Sequence, residues 1–187
     1  GIRDCLLSRG LGDVYKRQLE SDNSYNGGIL SHKSATFTYD GENDFIFYGA
    51  SYDIKKRTKS DQKFIKMQGR KVYEFALKNV PVAMKSCFDE ADCKIEDLKK
   101  IFIHQANQKM DEAIINRFFK LYKLSAPKDI LPMNIEEFGN SSVATIPTLF
   151  DLVKKTNYKG HKLSEGDIIM FASVGAGMNI NAITYKV

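Results

Sequence analysis

Residues 100–107 read KIFIHQAN, a short and strongly apolar run, Ile101 to Ile103, that passes without a turn into a polar cluster opening at His104. A run this short and apolar predicts a buried strand. From Asn107 to Tyr122 the period changes. Met110, Ala113, Ile114, Phe118 and Leu121 recur at helical spacing, while Arg117 and Lys120 fall off that stripe. A buried strand feeding directly into an amphipathic helix is one unit of an α/β fold, with a histidine at the junction.

The same alternation continues on both sides. Downstream, residues 125–140 form a connection with a strand-like piece, Ile130–Ile135, that ends in a tight Phe138-Gly139-Asn140 turn. Ser141 to Lys155 reads as helix, and its opening residues Ser141, Ser142 and Ala144 are small enough for close packing. Residues 157–166 read as a surface loop. Asp167–Ser173 (DIIMFAS) is a buried strand, followed by the Gly175-Ala176-Gly177 turn and a last strand, Asn179–Val187. Upstream, Phe64 to Ala91 has a helical period through Phe64, Met67, Val72, Phe75 and Ala76. Pro81 is expected to start a second helical segment with Val82, Met84, Cys87 and Phe88 facing the core. Cys87 is then simplest as a small buried hydrophobe. The acid-rich IEDLKK before the central strand reads as a helical turn. Residues 19–56 are rich in Ser, Asn, Asp and Gly, with short β-like runs at Ala35–Tyr39 and Phe45–Tyr48, and read as loops and edge strands around a site. Strands alternating with helices predict a three-layer α/β arrangement.

Composition narrows the function classes. The chain has 187 residues, 43% hydrophobic and 27% charged, a size and balance suited to one globular domain. No apolar run reaches the length of a membrane span. The net charge of +5 and pI near 9.0 admit an acidic partner. The lysines are dispersed, however, without a basic run interleaved with aromatics, which argues against nucleic acid. Three cysteines without CxxC spacing and three histidines without HExxH argue against a disulfide framework, a zinc site or any metal enzyme, and suit a reducing, cytoplasmic setting. Residues 1–18 (GIRDCLLSRGLGDVYKRQ) lack the apolar core of a signal peptide and a clear period. They read as a non-native leader ahead of a domain spanning 19–187.

Chemistry collects where strands end and turns begin: His104-Gln105-Ala106-Asn107, Gly139-Asn140-Ser141-Ser142, and Gly175-Ala176-Gly177. Taken singly, each has a plain structural reading. A histidine after a strand can be a satisfied structural residue, an Asn after Gly a turn or N-cap, and a Gly-Ala-Gly run simply a turn with open backbone N–H groups.

Taken together, MQGRKVYEFA (67–76), IFIHQAN (101–107), FGNSSVATIP (138–147) and GDIIMFASVGAG (166–177) resemble the β-ketoacyl-acyl-carrier-protein synthase III family of the thiolase-like superfamily. SDNSYNGG from Ser21 is also similar to the loop that precedes this half in the family. Asn140 stands where related condensing enzymes have a second His and thiolases a second Cys. The resemblance implies a thiolase-like half-fold, a mixed sheet of about five strands with helices on its faces, and a Cys-His-Asn triad whose last two members are His104 and Asn140. It implies decarboxylative Claisen condensation of an acyl primer with malonyl-acyl-carrier protein, which starts fatty acid synthesis, with acyl-CoA and malonyl-carrier protein as substrates and no tightly bound cofactor or metal. It places an oxyanion hole at the backbone of Ala176, pantetheine contacts at Gly69 and Asn107 (for Asn107 a helix N-cap is the structural alternative), and carrier-protein docking at Lys109, where the family commonly has Arg. The expected partners are acyl carrier protein, an N-terminal half and a second copy in a homodimer, with no nucleic acid.

The nucleophilic cysteine and the Trp and Arg that grip the CoA nucleotide lie in the family's N-terminal half. This chain has no Trp, and Cys87 and Cys93 fall on a helix and the loop after it. The expectation is therefore a C-terminal half, inactive alone. A condensing enzyme of secondary metabolism with a longer primer, or a non-catalytic carrier-binding module, are the alternatives, and the identity of the acyl primer stays open.

Overall fold

The structure is a computed structural model that describes residues 2–3, 18–19, 27–38, 41–52 and 62–187. Its centre is a four-stranded mixed sheet in the order β3-β8-β7-β6, formed by Gly28–Thr36 (β3), Leu98–Ile103 (β6), Ile168–Gly175 (β7) and Asn179–Lys186 (β8). β6 and β7 run parallel; β7–β8 and β8–β3 are antiparallel. Two small antiparallel pairs stand apart from it, Ile2–Arg3 (β1) with Gln18–Leu19 (β2), and Ile46–Ala50 (β4) with Lys63–Met67 (β5). The rest of the expected leader, Cys5 included, lies outside the described residues, as does Tyr39.

The helices divide unequally between the two faces. On one face Gly69–Glu90 (α1) and Gln108–Lys120 (α2) bury Phe75, Val80, Met84, Phe88, Ile114 and Phe118 against Ile101, Ile103, Met170, Ile180 and Ala182. On the other, Thr145–Thr156 (α4) sets Leu149 and Val153 against Phe102, Ile169 and Val187. The alternation of β6 explains how a run of large apolar residues serves both: Ile101 and Ile103 point to one face and Phe102 to the other. Each such side chain, fully buried, contributes about 1.5–3 kcal/mol. The short helix α3 (Ile135–Phe138) lies in the connection between α2 and α4.

Several sequence expectations are corrected. Phe64 to Met67 belong to β5 and not to a helix, and α1 begins at Gly69. Pro81 lies inside one continuous 22-residue helix rather than starting a second. That is tolerable because the carbonyl of Leu77, which Pro81 has no N–H to satisfy, accepts instead from Arg117 Nη1 at 3.0 Å. Val82 is 58% exposed and Leu121 43%, while Met84, Cys87 and Phe88 do face the core. Residues 130–135 form no strand; the Ile130 carbonyl accepts from Ile101 N, and Ile135 opens α3. Among the described residues no helix is long and apolar enough to cross a membrane.

Candidate functional site

His104 is placed by an extension of the sheet. β6 pairs with β7 through Ile103 opposite Ala172, and the next amide, His104 N, still donates to Ala172 O at 3.0 Å. Because the two strands are parallel, both end on the same side of the sheet, so His104 arrives beside Ser173, Val174 and Gly175. The imidazole is half-buried. Desolvation lowers its pKa below the ordinary histidine value, with a backbone hydrogen bond to Ser142 pulling weakly the other way. His104 is therefore neutral at neutral pH.

Asn140 reaches the same place along a different path. α3 ends at Gly139, whose φ of 62° and ψ of −160° lie in a region essentially restricted to glycine, so glycine is a steric requirement of the turn that leads into Asn140. Two residues on, Ser142 adopts a left-handed φ of 55°, a conformation costing a non-glycine residue about 1–3 kcal/mol. Asn140 offsets part of it: its Oδ1 accepts from Ser142 N at 2.9 Å. That bond also orients the side chain, since with Oδ1 occupied the amide Nδ2–H₂ is the group left to meet a ligand.

Both residues line one open cleft of about 810 Å³ at the end of the sheet, with Val72, Met110, Ser173, Gly175 and Met178 among its other walls. The cleft is largely apolar in lining, and His104 and Asn140 are among its polar walls. A second, shallower groove of about 400 Å³ lies where Ile146 and Phe150 of α4 meet Phe171, Ile183 and Tyr185 of the sheet.

The remaining expected site residues fall around the first cleft. Ala176 is the first residue of the turn joining β7 and β8, directly after cleft-lining Gly175, and Gly177 makes the turn with φ of 75°. Gly69 is the first residue of α1; a Cβ there would meet nothing nearer than Met67 Cε at 4.0 Å, so no packing among the described residues demands glycine. Asn107 is the N-cap of α2, its Oδ1 accepting from Lys109 N at 3.0 Å and Met110 N at 3.3 Å. Its structural role is thus real, and only its amide nitrogen is left for a ligand. Lys109 is exposed and shares a shallow pocket with Asn107, Glu112 and Ile135.

Cys87 is fully buried between α1 and β8, its thiol donating to Ala182 O, and burial raises the pKa of half-buried Cys93. Neither lines the cleft. Among the described residues no group of three or more His, Cys, Asp or Glu is placed to hold a metal ion.

Two residues carry more than their sequence context suggested. Gln105, inside the HQAN run, is wholly buried and its side-chain amide makes three hydrogen bonds. Asp111 is wholly buried with neither carboxyl oxygen partnered. For Asp111 the signal was available: it falls on the apolar stripe of α2, in line with Ile114 and Phe118.

Residues 88–187 match the family described as 3-oxoacyl-[acyl-carrier-protein (ACP)] synthase III C terminal. The chain belongs to that family. A β-ketoacyl-[acyl-carrier-protein] synthase III from Microcystis aeruginosa is 30% identical over 182 residues, covering 97% of this chain and 48% of the relative. Another, from Porphyra umbilicalis, is 34% identical over 122 residues, 65% of this chain and 34% of the relative. The chain thus spans half or less of the length of these relatives. In structure it is similar to β-ketoacyl-[acyl-carrier-protein] synthase III from Thermus thermophilus, with a TM-score of 0.68 at 21% identity, over 90% of this chain and 48% of that one. The fold is accordingly the thiolase-like one, and the synthase III family gives the cleft its chemical context.

Proposed function

We propose that this chain is the C-terminal catalytic half of a condensing enzyme that joins an acyl primer to malonyl-acyl-carrier protein by decarboxylative Claisen condensation. The observation that carries the reading is the convergence of His104 and Asn140 on one cleft, His104 neutral and Asn140 pinned by Ser142 N.

The chemistry asks for that pair. The acyl primer is held as a thioester on a cysteine, which the N-terminal half of a synthase-length protein would supply. In the malonyl thioester the bond to the carboxylate breaks, carbon dioxide leaves, and the electron pair moves into an enolate. The resulting carbanion attacks the acyl-cysteine carbonyl, and the cysteine thiolate departs. Negative charge grows on the malonyl thioester oxygen, so the useful groups are fixed neutral donors. A neutral imidazole N–H and the Asn140 amide can hold that oxygen without protonating the carbanion; an imidazolium would quench it. Desolvation of His104 therefore favours the reaction. The Ala176 backbone N–H, together with the cysteine's own, would hold the oxyanion of the addition step. Asn107 and the Gly69 backbone would contact the pantetheine arm, and Lys109 would meet the acidic carrier protein. We further propose that the intact protein works as a cytoplasmic homodimer, on these substrates alone and without a resident cofactor. The starting of fatty acid synthesis is the pathway role best supported by the family.

The test is His104→Ala in protein assembled with its N-terminal half. Malonyl decarboxylation should fall by about 10²–10³, the usual effect of removing one such donor, while acyl transfer to the cysteine survives. Decarboxylation within threefold of wild type would refute the assignment.

A further inference from the structure

His104 and Asn140 sit on segments that are remote in sequence, and the sheet holds only the first. β6 ends at Ile103, and the ladder gives out after His104 N. Asn140 follows a one-turn helix, α3, that is too short to be stable by itself and whose N-cap residue, Asn134, makes no side-chain capping bond. Something else must cap α3 and hold it at a fixed distance from the end of β6.

Gln105 does both. Its side chain is wholly buried. Oε1 accepts from Asn134 N at 2.9 Å and from Ile135 N at 3.0 Å, and Nε2 donates to Pro132 O at 3.1 Å. One amide thus satisfies the first orphan N–H groups of α3 from 29 and 30 residues away in sequence and grips the strand of chain just before it. From there the connection is stiff. Phe138 N bonds Asn134 O at 3.0 Å, Gly139 N bonds Ile135 O at 2.9 Å, and the glycine-only conformation of Gly139 leads straight to Asn140. Lys159 approaches Glu137 at 3.2 Å and Glu136 at 3.6 Å, bracing the outer side of the same turn. The backbone neighbour of Gln105 on its other side is His104 itself.

We propose that Gln105 is a positioning residue which sets the spacing of His104 and Asn140 by clamping α3 to the end of β6. Its relevance to catalysis rests on the function proposed above; the clamp itself does not. A buried amide that makes three hydrogen bonds across two segments is stiff, because breaking any one leaves a desolvated polar group.

The experiment is performed on the chain as it stands, labelled with ¹⁵N. Gln105→Met keeps similar bulk and removes all three bonds. Amide exchange at Asn134 and Ile135 should quicken at least tenfold. The Asn140 side-chain amide and His104 imidazole signals should also move, while the amides of β6, β7 and β8 hold their protection. Gln105→Glu, which keeps both acceptor bonds, should restore protection at Asn134 and Ile135 and return the Asn140 signals at least halfway. If the Met variant loosens Asn134 and Ile135 but leaves Asn140 and His104 unmoved, Gln105 merely staples a loop and the proposal fails. It fails equally if Glu rescues nothing. Should the Met variant not fold, the Glu variant is read alone against wild type, and protection lost at Asn134 and Ile135 with the Asn140 and His104 signals unmoved overturns the clamp. None of these signals depends on turnover, so refutation of the His104 assignment would leave this test intact.

Discussion

Asp111 is fully buried on α2 with both carboxyl oxygens unpartnered, and desolvation, aided by Glu112, pushes its pKa up to about 8. The folded protein therefore holds a proton there that the unfolded chain, with an ordinary carboxyl near 4, gives up. Stability should fall as pH rises from about 4 to about 8, by at most about 1.4 kcal/mol per unit, and level off above. Asp111→Asn removes the titration, so its advantage over wild type in urea unfolding should grow steadily from pH 5 to pH 8. A difference independent of pH would show that Asp111 is not buried as a neutral acid. Lys109 poses a question of charge rather than burial. If it docks the carrier protein, Lys109→Glu in an assembled enzyme should weaken use of malonyl-carrier protein about tenfold more than use of malonyl-CoA, and raised salt should mimic the change. Equal losses with both substrates would assign Lys109 no docking role.

At the scale of an element, α1 is informative because a proline lies in its interior and the helix continues regardless. Pro81 removes one N–H, and Arg117 of α2 supplies the missing donor to Leu77 O. The two helices are thereby locked in register by one bond, besides their apolar packing. Arg117→Met should destabilise the chain by about 1–3 kcal/mol, the cost of leaving a buried carbonyl unpaired. Adding Pro81→Ala restores the intrahelical donor, so the double variant should recover most of that loss. Thermal unfolding of the four proteins in the cycle tests this; simple additivity would break the link between Arg117 and the proline. The same logic explains why Pro81 was misread as a helix start: the compensating donor comes from a helix distant in sequence.

For the whole molecule, the unequal covering of the sheet matters most. Among the described residues, α1 and α2 seal one face, whereas α4 alone crosses the other and leaves a groove beside Phe171, Ile183 and Tyr185. The proposed function leaves the nucleophilic cysteine to an N-terminal half. Incubating the chain by itself with acyl-CoA should then leave Cys87 and Cys93 unacylated, as mass spectrometry of their peptides would reveal. Cys87 should also resist alkylation until the protein unfolds, being fully buried and hydrogen-bonded to Ala182 O. A thioester on either residue would overturn the division of labour between halves. Carrier-protein binding without any gain of activity on adding the N-terminal half would favour a binding module instead.

Local pattern carried much of this protein. The strands at Ile101–Ile103, Asp167–Ser173 and Asn179–Val187 and the helix after Asn107 were legible because each buries an apolar face at its own period; His104 and Ala176 stand directly after β6 and β7, whereas Asn140 follows the short helix α3. What the chain alone could not decide were contacts between segments distant in sequence. Phe64 to Met67 have an apolar spacing that suits either a helix or a strand, and pairing with β4 settles it as β5. Ile130–Ile135 looks like a strand and is not, because Gln105 takes up the N–H groups of Asn134 and Ile135 that a sheet would otherwise need. Hydrophobic period is local physics. A buried hydrogen bond between Gln105 and α3, or between Arg117 and Leu77, forms only after the chain has folded back, and so only the tertiary structure could specify it.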